Sequence, residues 1–354
     1  MEQSKLKFSV GYRLSSDKRF ADMIVREKEH IGEVYFSWGD FPNGRNSQDL
    51  SDEYSPWEIQ REFEKDIKRF ADEGLKFNLL FNGNCYGGDA LARSLFNKIG
   101  DTVDYIEQNY GLASVTTTSP VIAKFLKANF ERIDVRASVN MGIGNICSMD
   151  YVAHLFDSFY LKREHNRNLC AIKEISAWCK ASGKGLYMLA NSGCLNHCSA
   201  HTFHDNLVAH ENESSTKDNA YDFSGICHEY VANPQKRASL IRDTSFVRPE
   251  DLHLYDEYFD GVKLATRVHS NPCSVLSAYI NGKFYGGITD LLEPSHSGII
   301  LPQIIDNRKF PCDFAKTVMN CKKNCSECGY CDKVYENALS ELGGVSYLEG
   351  DLEV

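Results

Sequence analysis

The stretch ASVTTTSPVIAKFLKANFERIDVRASV, residues 113–139, contains one complete strand–helix–strand unit. Residues 113–117 and 133–139 predict two strands. Pro120 opens a helix between them, and its Ile122, Phe125 and Leu126 fall on one face. Two strands joined through a helix pair in parallel with a right-handed crossover. This stretch therefore predicts a parallel α/β fold.

The same unit repeats along the first two thirds of the chain. Further strands are predicted at residues 7–13, 33–38, 77–81, 156–161, 186–189 and 261–264. Helices are predicted at residues 17–29, 91–108 and 169–181. Another helix is predicted to begin after Ser55, which can cap it, with Glu58 completing a capping box. Eight such units favour a (β/α)8 TIM-like barrel. An open doubly wound sheet is the alternative, but its Gly-rich phosphate fingerprint does not follow the first strand.

Two parts of the chain depart from this alternation. A polar stretch near residues 205–247 separates strands seven and eight and is too long for an ordinary connection, which is typical of a functional lid or a disordered insertion. Residues 301–354 form a Cys-rich C-terminal appendage. We therefore predict a barrel over residues 1–300 and a metal-binding segment over residues 301–354.

Charge and composition exclude some classes of function. The net charge of the 354-residue chain is −10, and no block of Lys or Arg is long enough to predict general nucleic-acid binding. The first residues lack the apolar core of a signal peptide, and no later run is long enough to span a membrane. These observations predict a cytoplasmic protein whose thiols stay reduced.

The cysteines predict a metalloprotein. Four of the 13 cysteines lie in the run CKKNCSECGYC, as Cys321, Cys325, Cys328 and Cys331. Thiolates prefer iron–sulfur clusters, zinc or copper(I) to hard cations. We predict a four-iron four-sulfur cluster at these C-terminal cysteines, with structural zinc as the alternative.

A second cysteine group lies upstream. Cys194, Cys198 and Cys227 are three candidate ligands of another cluster. Cys85 is the predicted fourth ligand because its strand ends at the same edge of the barrel, and Cys273 is its competitor. Four histidines in this part of the chain can ligate a metal, move protons or simply be polar loop residues: His197, His201, His204 and His228.

The carboxyl ends of the predicted strands carry the other candidate site residues, since chemistry in such barrels sits at that end. These are Arg13, Asn82, Asn140, Lys162, Arg163, Glu164, Arg267 and His269. Four cations on one rim of an acidic protein favour an anionic small-molecule substrate. The alternative is that Lys162 or Arg163 only pairs with a neighbouring acid such as Glu164.

Four segments in order resemble the collagenase-like U32 peptidase family. They are SVNMGIGN (138–145), YLKRE (160–164), NSGCLNHC (191–198) and VKLATRVHS (262–270), within a resemblance over roughly residues 8–285. Thr266 replaces the family's Gly, and Asn140 replaces its Gln.

The resemblance implies chemistry as well as fold. Members of this family resemble oxygen-independent hydroxylases with a four-iron four-sulfur cluster, acting in ubiquinone synthesis or on transfer and ribosomal RNA. Some of them take oxygen from prephenate. By resemblance, Arg163, Glu164 and Arg267 match the family's rim residues, and Cys194 and Cys198 match its cluster region.

Together these observations predict an iron–sulfur enzyme acting on an anionic metabolite or a modified macromolecule. We assign catalysis to Arg163, Glu164, Arg267 and His269, and substrate binding to Arg13, Asn82, Asn140 and Lys162. One alternative is a peptidase with structural zinc, although neither a His-Glu-x-x-His helix nor a Gly-x-Ser-x-Gly elbow is present. Another is a non-catalytic iron–sulfur partner subunit. An electron donor or partner subunit is an expected partner.

Overall fold

Eight parallel strands close into a barrel in the computed structural model, which describes residues 3–44 and 55–342. Each strand pairs with the next along the chain, and the first pairs with the eighth. The strands are β1 (Phe8–Gly11), β2 (Ile31–Phe36), β3 (Phe77–Phe81), β4 (Ser114–Thr117), β5 (Asp134–Ala137), β6 (Ser158–Tyr160), β7 (Gly185–Leu189) and β8 (Gly261–Leu264).

Helices follow every strand and cover the outside of the barrel. The first six are α1 (Arg19–Arg26), α2 (Pro56–Asp72), α3 (Arg93–Tyr110), α4 (Pro120–Asn129), α5 (Ile146–Val152) and α6 (Leu169–Ala181). Four short helices follow β7, namely α7 (His201–Ala209), α8 (Glu211–Ser214), α9 (Ile226–Ala232) and α10 (Ser239–Arg242), and α11 (Pro272–Asn281) follows β8. The predicted (β/α)8 barrel is confirmed.

The remaining elements follow the barrel. They are α12 (Ser297–Ile300), β9 (Gln303–Ile305), α13 (Phe314–Met319), α14 (Cys325–Cys328), α15 (Tyr330–Ala338) and β10 (Leu339–Glu341). The last strand, β10, pairs antiparallel with β9, and these hydrogen bonds hold the end of the described chain in place. The Cys-rich region is present as predicted. Residues 343–354 of the predicted C-terminal segment, and residues 1–2 and 45–54, lie outside the described residues.

Local chemistry explains the best-predicted helix. Ser55 Oγ accepts from the backbone N–H of Glu58 at 3.4 Å, and Glu58 Oε2 accepts from the backbone N–H of Ser55 at 2.9 Å. This is the predicted capping box, with Pro56 at the first helical position. The apolar face of α2, including Phe63 and Ile67, is buried against the barrel. One prediction differs in detail, because residues 17–29 form α1 and a separate 3-10 turn at Lys28–His30.

The inside of the barrel is polar. Arg136 on β5 donates from Nη1 to Glu33 Oε1 on β2 at 2.7 Å, and both side chains are buried. Ser9 and Asn78 also donate to that carboxylate, at 2.7 and 3.0 Å. Apolar packing is concentrated between the strands and the helices, where Phe36, Phe63 and Phe77 meet edge to face.

No helix within residues 3–44 and 55–342 is both long and apolar enough to cross a membrane.

Candidate functional site

The carboxyl ends of the strands surround a small cavity of about 110 Å³, here called the rim cavity. Seven of the predicted site residues line it: Asn82, Asn140, Arg163, Cys194, Cys198, Cys227 and Arg267. They come from five different strand ends and from α9, so the barrel brings together residues that are far apart in the sequence.

A glycine places the loop after β7. A Cβ atom on Gly193 would lie 2.1 Å from the carbonyl oxygen of Pro294, so only glycine fits here. The backbone N–H of Gly193 donates to the carbonyl of Glu293 at 3.0 Å. These contacts fix the position of Cys194, which follows directly.

Glu164 holds the other side of the same loop. Burial opposes ionisation of Glu164, but its own backbone N–H, the nearby Lys162 and Arg163 charges, and the backbone of His197 lower its pKa. Lys162 Nζ lies 3.9 Å from Glu164 Oε1. Glu164 is therefore an anion that positions the loop, which makes it a poor proton donor near neutral pH.

Arg163 connects the cysteines with a histidine. Its Nη1 lies 3.4 Å from Cys194 Sγ, and its Nη2 contacts Nε2 of His201. The same Nε2 lies 3.2 Å from Asp205 Oδ2. Burial, and then the Arg163 charge, lower the pKa of His201, so this imidazole is neutral near neutral pH and can accept a proton.

Arg267 forms the opposite wall of the rim cavity. It is buried, and its Nη2 donates to Asn43 Oδ1 at 3.1 Å. The preceding Thr266 is also buried, and its hydroxyl accepts from the backbone N–H of Gly11 at 2.7 Å. Thr266, which departs from the family pattern, thus ties the end of β8 to the end of β1.

The three rim cysteines, Cys194, Cys198 and Cys227, lie close enough to interact. Burial, and then the charges of Cys194 and Cys198, raise the pKa of the Cys227 thiol. Neither proposed fourth ligand joins them among the described lining residues of the cavity. Cys85 instead forms a hydrogen bond with His210, which lowers the pKa of the thiol and raises that of the imidazole. Cys273 lies near Asp17 and Arg19, outside the cavity.

Four other predicted residues, among them Glu164, stand outside the rim cavity as well. Lys162 is beside Glu164, and Arg13 lines a neighbouring cavity of about 390 Å³ that it shares with Arg267. His269 is buried, and its Nδ1 accepts from the backbone N–H of Asn271 at 3.0 Å. Burial lowers the pKa of His269, so its imidazole stays neutral. Their assigned roles stay predictions.

The structure adds cavity residues that sequence reasoning missed. Lys263, Tyr35 and Glu293 line the same space. A lysine in the middle of a buried strand was the available signal for Lys263, because such a side chain is rarely buried without a reason. No sequence signal marked Tyr35 or Glu293.

The four C-terminal cysteines line a separate cavity of about 430 Å³. Burial raises the pKa of the Cys331 thiol to about 11. The Arg167 charge lowers this pKa, whereas the charges of Cys321, Cys325 and Cys328 raise it. The backbone N–H of Lys323 lies 3.2 Å from Cys321 Sγ. Backbone N–H groups that point at sulfur are a feature of thiolate metal sites.

The donor chemistry of both groups suits a thiophilic metal, but the side chains are not arranged as finished sites. Across the two described ranges, no three His, Cys, Asp or Glu side chains are placed so that they could hold a metal ion. Preformed metal geometry is rare without the metal, because binding and ordering of the ligands are coupled.

Comparison with known proteins agrees with the resemblance in the sequence. No protein-family model matches the chain. An uncharacterized protease of Methanocaldococcus jannaschii is 25% identical over 286 residues, which cover 78% of this chain and 80% of that protein. The structure of the U32 peptidase Mk0906 is similar in fold, with a TM-score of 0.52 and 15% identity, covering 74% of this chain and 93% of that one. The protease relative and the shared fold of the U32 peptidase Mk0906 agree with the resemblance to the U32 peptidase family.

Proposed function

We propose that this U32 peptidase-like protein is an iron–sulfur enzyme that binds an anionic substrate in the rim cavity. One observation carries the proposal: three thiols and the two guanidinium groups of Arg163 and Arg267 line the same small space. Thiols supply soft metal ligands, and guanidinium groups bind carboxylates through paired hydrogen bonds. The barrel places both at the end where such folds carry out chemistry.

The residues have separate roles in this proposal. Cys194, Cys198 and Cys227 hold the cluster with a fourth ligand, and the cluster supplies redox and Lewis-acid chemistry when bound. Arg163 and Arg267 orient the carboxylate of the substrate. His201, whose pKa burial and the Arg163 charge lower, is the proton acceptor in this proposal. A second cluster at the C-terminal cysteines would carry electrons, with zinc as the alternative there.

Metal analysis tests the cofactor directly. Protein purified without oxygen should contain about four or eight irons with matching sulfide and absorb visible light. Cys198→Ser should lower the iron content, whereas Cys170→Ser, a change of an exposed cysteine on α6, should not. Stoichiometric zinc without iron or sulfide would contradict the proposal.

Ligand titration tests the anion site. Prephenate, which the family resemblance implies, serves as a carboxylate probe in calorimetric titrations. Arg267→Met should weaken binding about tenfold or more, since truncating a buried charge partner of a ligand costs about 2–5 kcal/mol. Arg61→Met is the matched control, because Arg61 is an exposed arginine on α2 that does not line the rim cavity. Equal affinity in both variants would remove Arg267 from the site.

A specific arrangement favours hydrolysis as the second candidate function. The Cys85 thiol is hydrogen-bonded to His210, and His210 Nδ1 lies 3.3 Å from Glu213 Oε2. A low-pKa thiol beside an imidazole and a carboxylate is the arrangement of a cysteine nucleophile. The named protease among the relatives agrees with such an activity.

Two measurements separate this candidate from the first. If the protein is a hydrolase, Cys85→Ser should abolish cleavage of a fluorogenic peptide library while leaving the metal content unchanged. If Cys85 is instead the fourth cluster ligand, the same change should lower the iron content. Hydrolysis that survives both Cys85→Ser and iodoacetamide would exclude the cysteine nucleophile.

A further inference from the structure

Lys263 carries a buried amine and is one of the residues that line the rim cavity. It lies in β8, is 8% exposed, and lines the cavity together with Arg163 and Arg267. Its Nζ lies 4.0 Å from the ring centroid of Tyr35 and 5.2 Å from that of Tyr160. The amine therefore points into the barrel between two aromatic rings rather than into solvent.

The charged groups around Lys263 are not those expected of a lysine whose role is to form an ion pair with a carboxylate. Arg267 and Arg136 both oppose its protonation, and the carboxylate of Glu33 favours it. That carboxylate already accepts from Arg136, Ser9 and Asn78. Burial, with the two arginines, lowers the pKa of Lys263 to about 7.

A lowered pKa changes what the amine can do. An ordinary lysine, with a pKa of about 10.4, is almost wholly protonated at neutral pH and has no free electron pair. An amine whose pKa lies near neutrality is available as a nucleophile in roughly half of the molecules. Desolvation and neighbouring cations are the means by which enzymes activate lysine toward carbonyl compounds.

We propose that Lys263 forms a Schiff base with a 2-oxo acid bound in the rim cavity. The Nζ electron pair attacks the keto carbon, and one amine proton moves to the oxygen to give a carbinolamine. A proton taken from solvent lets the C–O bond break and completes the departing water, so the iminium nitrogen keeps its other hydrogen and the positive charge. The positive iminium nitrogen then lies near the face of Tyr35, where a cation is favoured. The step consumes no oxidant or reductant.

The rest of the cavity fits the same class of ligand. A 2-oxo acid carries its carboxylate next to the carbonyl carbon, and Arg163 and Arg267 line the space that Lys263 reaches. This inference rests on the proposed anion site but needs no metal. It deepens the proposed function by naming the substrate as a carbonyl-bearing carboxylate.

Reductive trapping tests the proposal. The full-length protein is incubated with pyruvate and cyanoborohydride, digested and analysed by peptide mass spectrometry. Reduction of the iminium should leave one adduct on Lys263, with a mass gain equal to pyruvic acid less one oxygen atom. Lys263→Arg, which keeps the charge but forms no Schiff base, should lose that adduct. Lys162, which is on the same rim but outside the cavity, should stay unlabelled.

A second probe tests the role of the arginines. Arg267→Met should reduce labelling by pyruvate about tenfold or more, following the cost of an unpaired buried charge. Because the Arg267 charge also opposes protonation of Lys263, labelling by acetaldehyde, which has no carboxylate, should fall less than labelling by pyruvate, and an equal fall with both would contradict the carboxylate contact.

The outcomes separate this inference from the proposed function. Labelling of surface lysines in proportion to exposure, with Lys263 unmodified in protein that retains its iron, would overturn the Schiff base alone. A specific adduct on Lys263 in protein that contains no iron would support the Schiff base and contradict the cluster.

Discussion

Single residues at the rim decide where the thiols lie, and Gly193 is the sharpest example. A methyl group on Gly193 would meet the carbonyl oxygen of Pro294, which belongs to the backbone and cannot turn away. Gly193→Ala should therefore destabilise the protein by about 1–3 kcal/mol, the usual cost of overpacking. Urea unfolding measures this change.

Gly298 provides the control for that experiment. A Cβ atom on Gly298 meets nothing within 4 Å, and the residue lies in α12. Gly298→Ala should be neutral or stabilising by up to about 1 kcal/mol. If both variants unfold at the wild-type urea concentration, Gly193 does not fix the loop.

The buried ion pair inside the barrel gives a prediction about charge. Glu33→Gln removes the buried carboxylate partner of Arg136 and leaves Asp134, at 2.7 Å, as its remaining carboxylate, which should cost up to about 3–5 kcal/mol in the free energy of unfolding. Glu131→Gln, at an exposed position, should change it by less than about 0.5 kcal/mol. Urea unfolding at neutral pH measures both, and equal effects would contradict a structural role for the pair.

The same pair predicts the pH dependence of stability. Burial opposes ionisation of Glu33, but Arg136 and the hydrogen bonds of Ser9 and Asn78 hold its pKa below the ordinary value. A carboxyl group with a lowered folded-state pKa stabilises the fold above its unfolded pKa of about 4.3 and loses that effect as the pH falls through the folded pKa. The difference between wild type and Glu33→Gln should therefore shrink below about pH 4. A difference that grows in acid would show the opposite shift.

Sequence reasoning reached some of these residues and missed others for a physical reason. Arg163, Arg267 and the rim cysteines were identified by their position after predicted strands, because the carboxyl ends of all strands lie at the same end of the barrel. It did not identify Lys263 or the Glu33–Arg136 pair. Which charged residue of a short strand points inward depends on how the barrel closes, and partners on distant strands are not visible in a single sequence.

At the scale of elements, the short 3-10 helix Arg163–Arg167 connects the two cysteine groups. Arg163 faces Cys194, whereas Arg167 is buried on the other side. Arg167 donates to the carbonyls of Ile241 and Phe246, and its guanidinium lies 5.2 Å from the ring centroid of Phe314. One turn of chain therefore supports both the rim cavity and the C-terminal segment.

This arrangement predicts the effect of removing the guanidinium group. Arg167→Met leaves two buried carbonyl groups without their donor, which should cost about 1–3 kcal/mol for each unsatisfied group. Cleavage by thermolysin within residues 311–331 should become faster. Arg61→Met removes an exposed arginine that stacks on Trp57 at 5.4 Å, and it should leave the cleavage rate unchanged. Equal cleavage in both variants would show that Arg167 does not anchor the segment.

Most helices and strands were predictable because the periodicity of their apolar residues agrees with their place in the alternation of strands and helices. The strands Phe77–Phe81 and Gly261–Leu264 and the helix Leu169–Ala181 have the predicted bounds. Four other strands, β1, β4, β5 and β6, are shorter than predicted, whereas β2 begins and ends two residues earlier and β7 begins one residue earlier. Strand ends are set by register with neighbours rather than by composition. The β9–β10 pair was not predicted, because its two strands have only three residues each and lie far apart in the sequence.

At the scale of the whole molecule, the barrel and the C-terminal cysteines are held by different forces. The barrel is a closed ring of eight strands with a polar interior network, and of the four C-terminal cysteines one, Cys331, packs against its apolar layer. The segment that carries α14 and α15 is mostly short elements around the cysteine cavity. Metal binding should contribute stability mainly to that segment, because ligand ordering is coupled to metal binding.

Hydrogen exchange after chelation measures this difference. Removing metal from the anaerobically purified protein should increase amide exchange in residues 311–338 and leave the strands of the barrel protected, since local opening follows local stability. Cys325→Ser should give the same pattern without a chelator, and Cys312→Ser, at an exposed cysteine in the same segment, should not. Loss of protection across all eight strands would instead mean that the metal holds the barrel itself together. In that case the C-terminal cysteines would be part of the core of the fold.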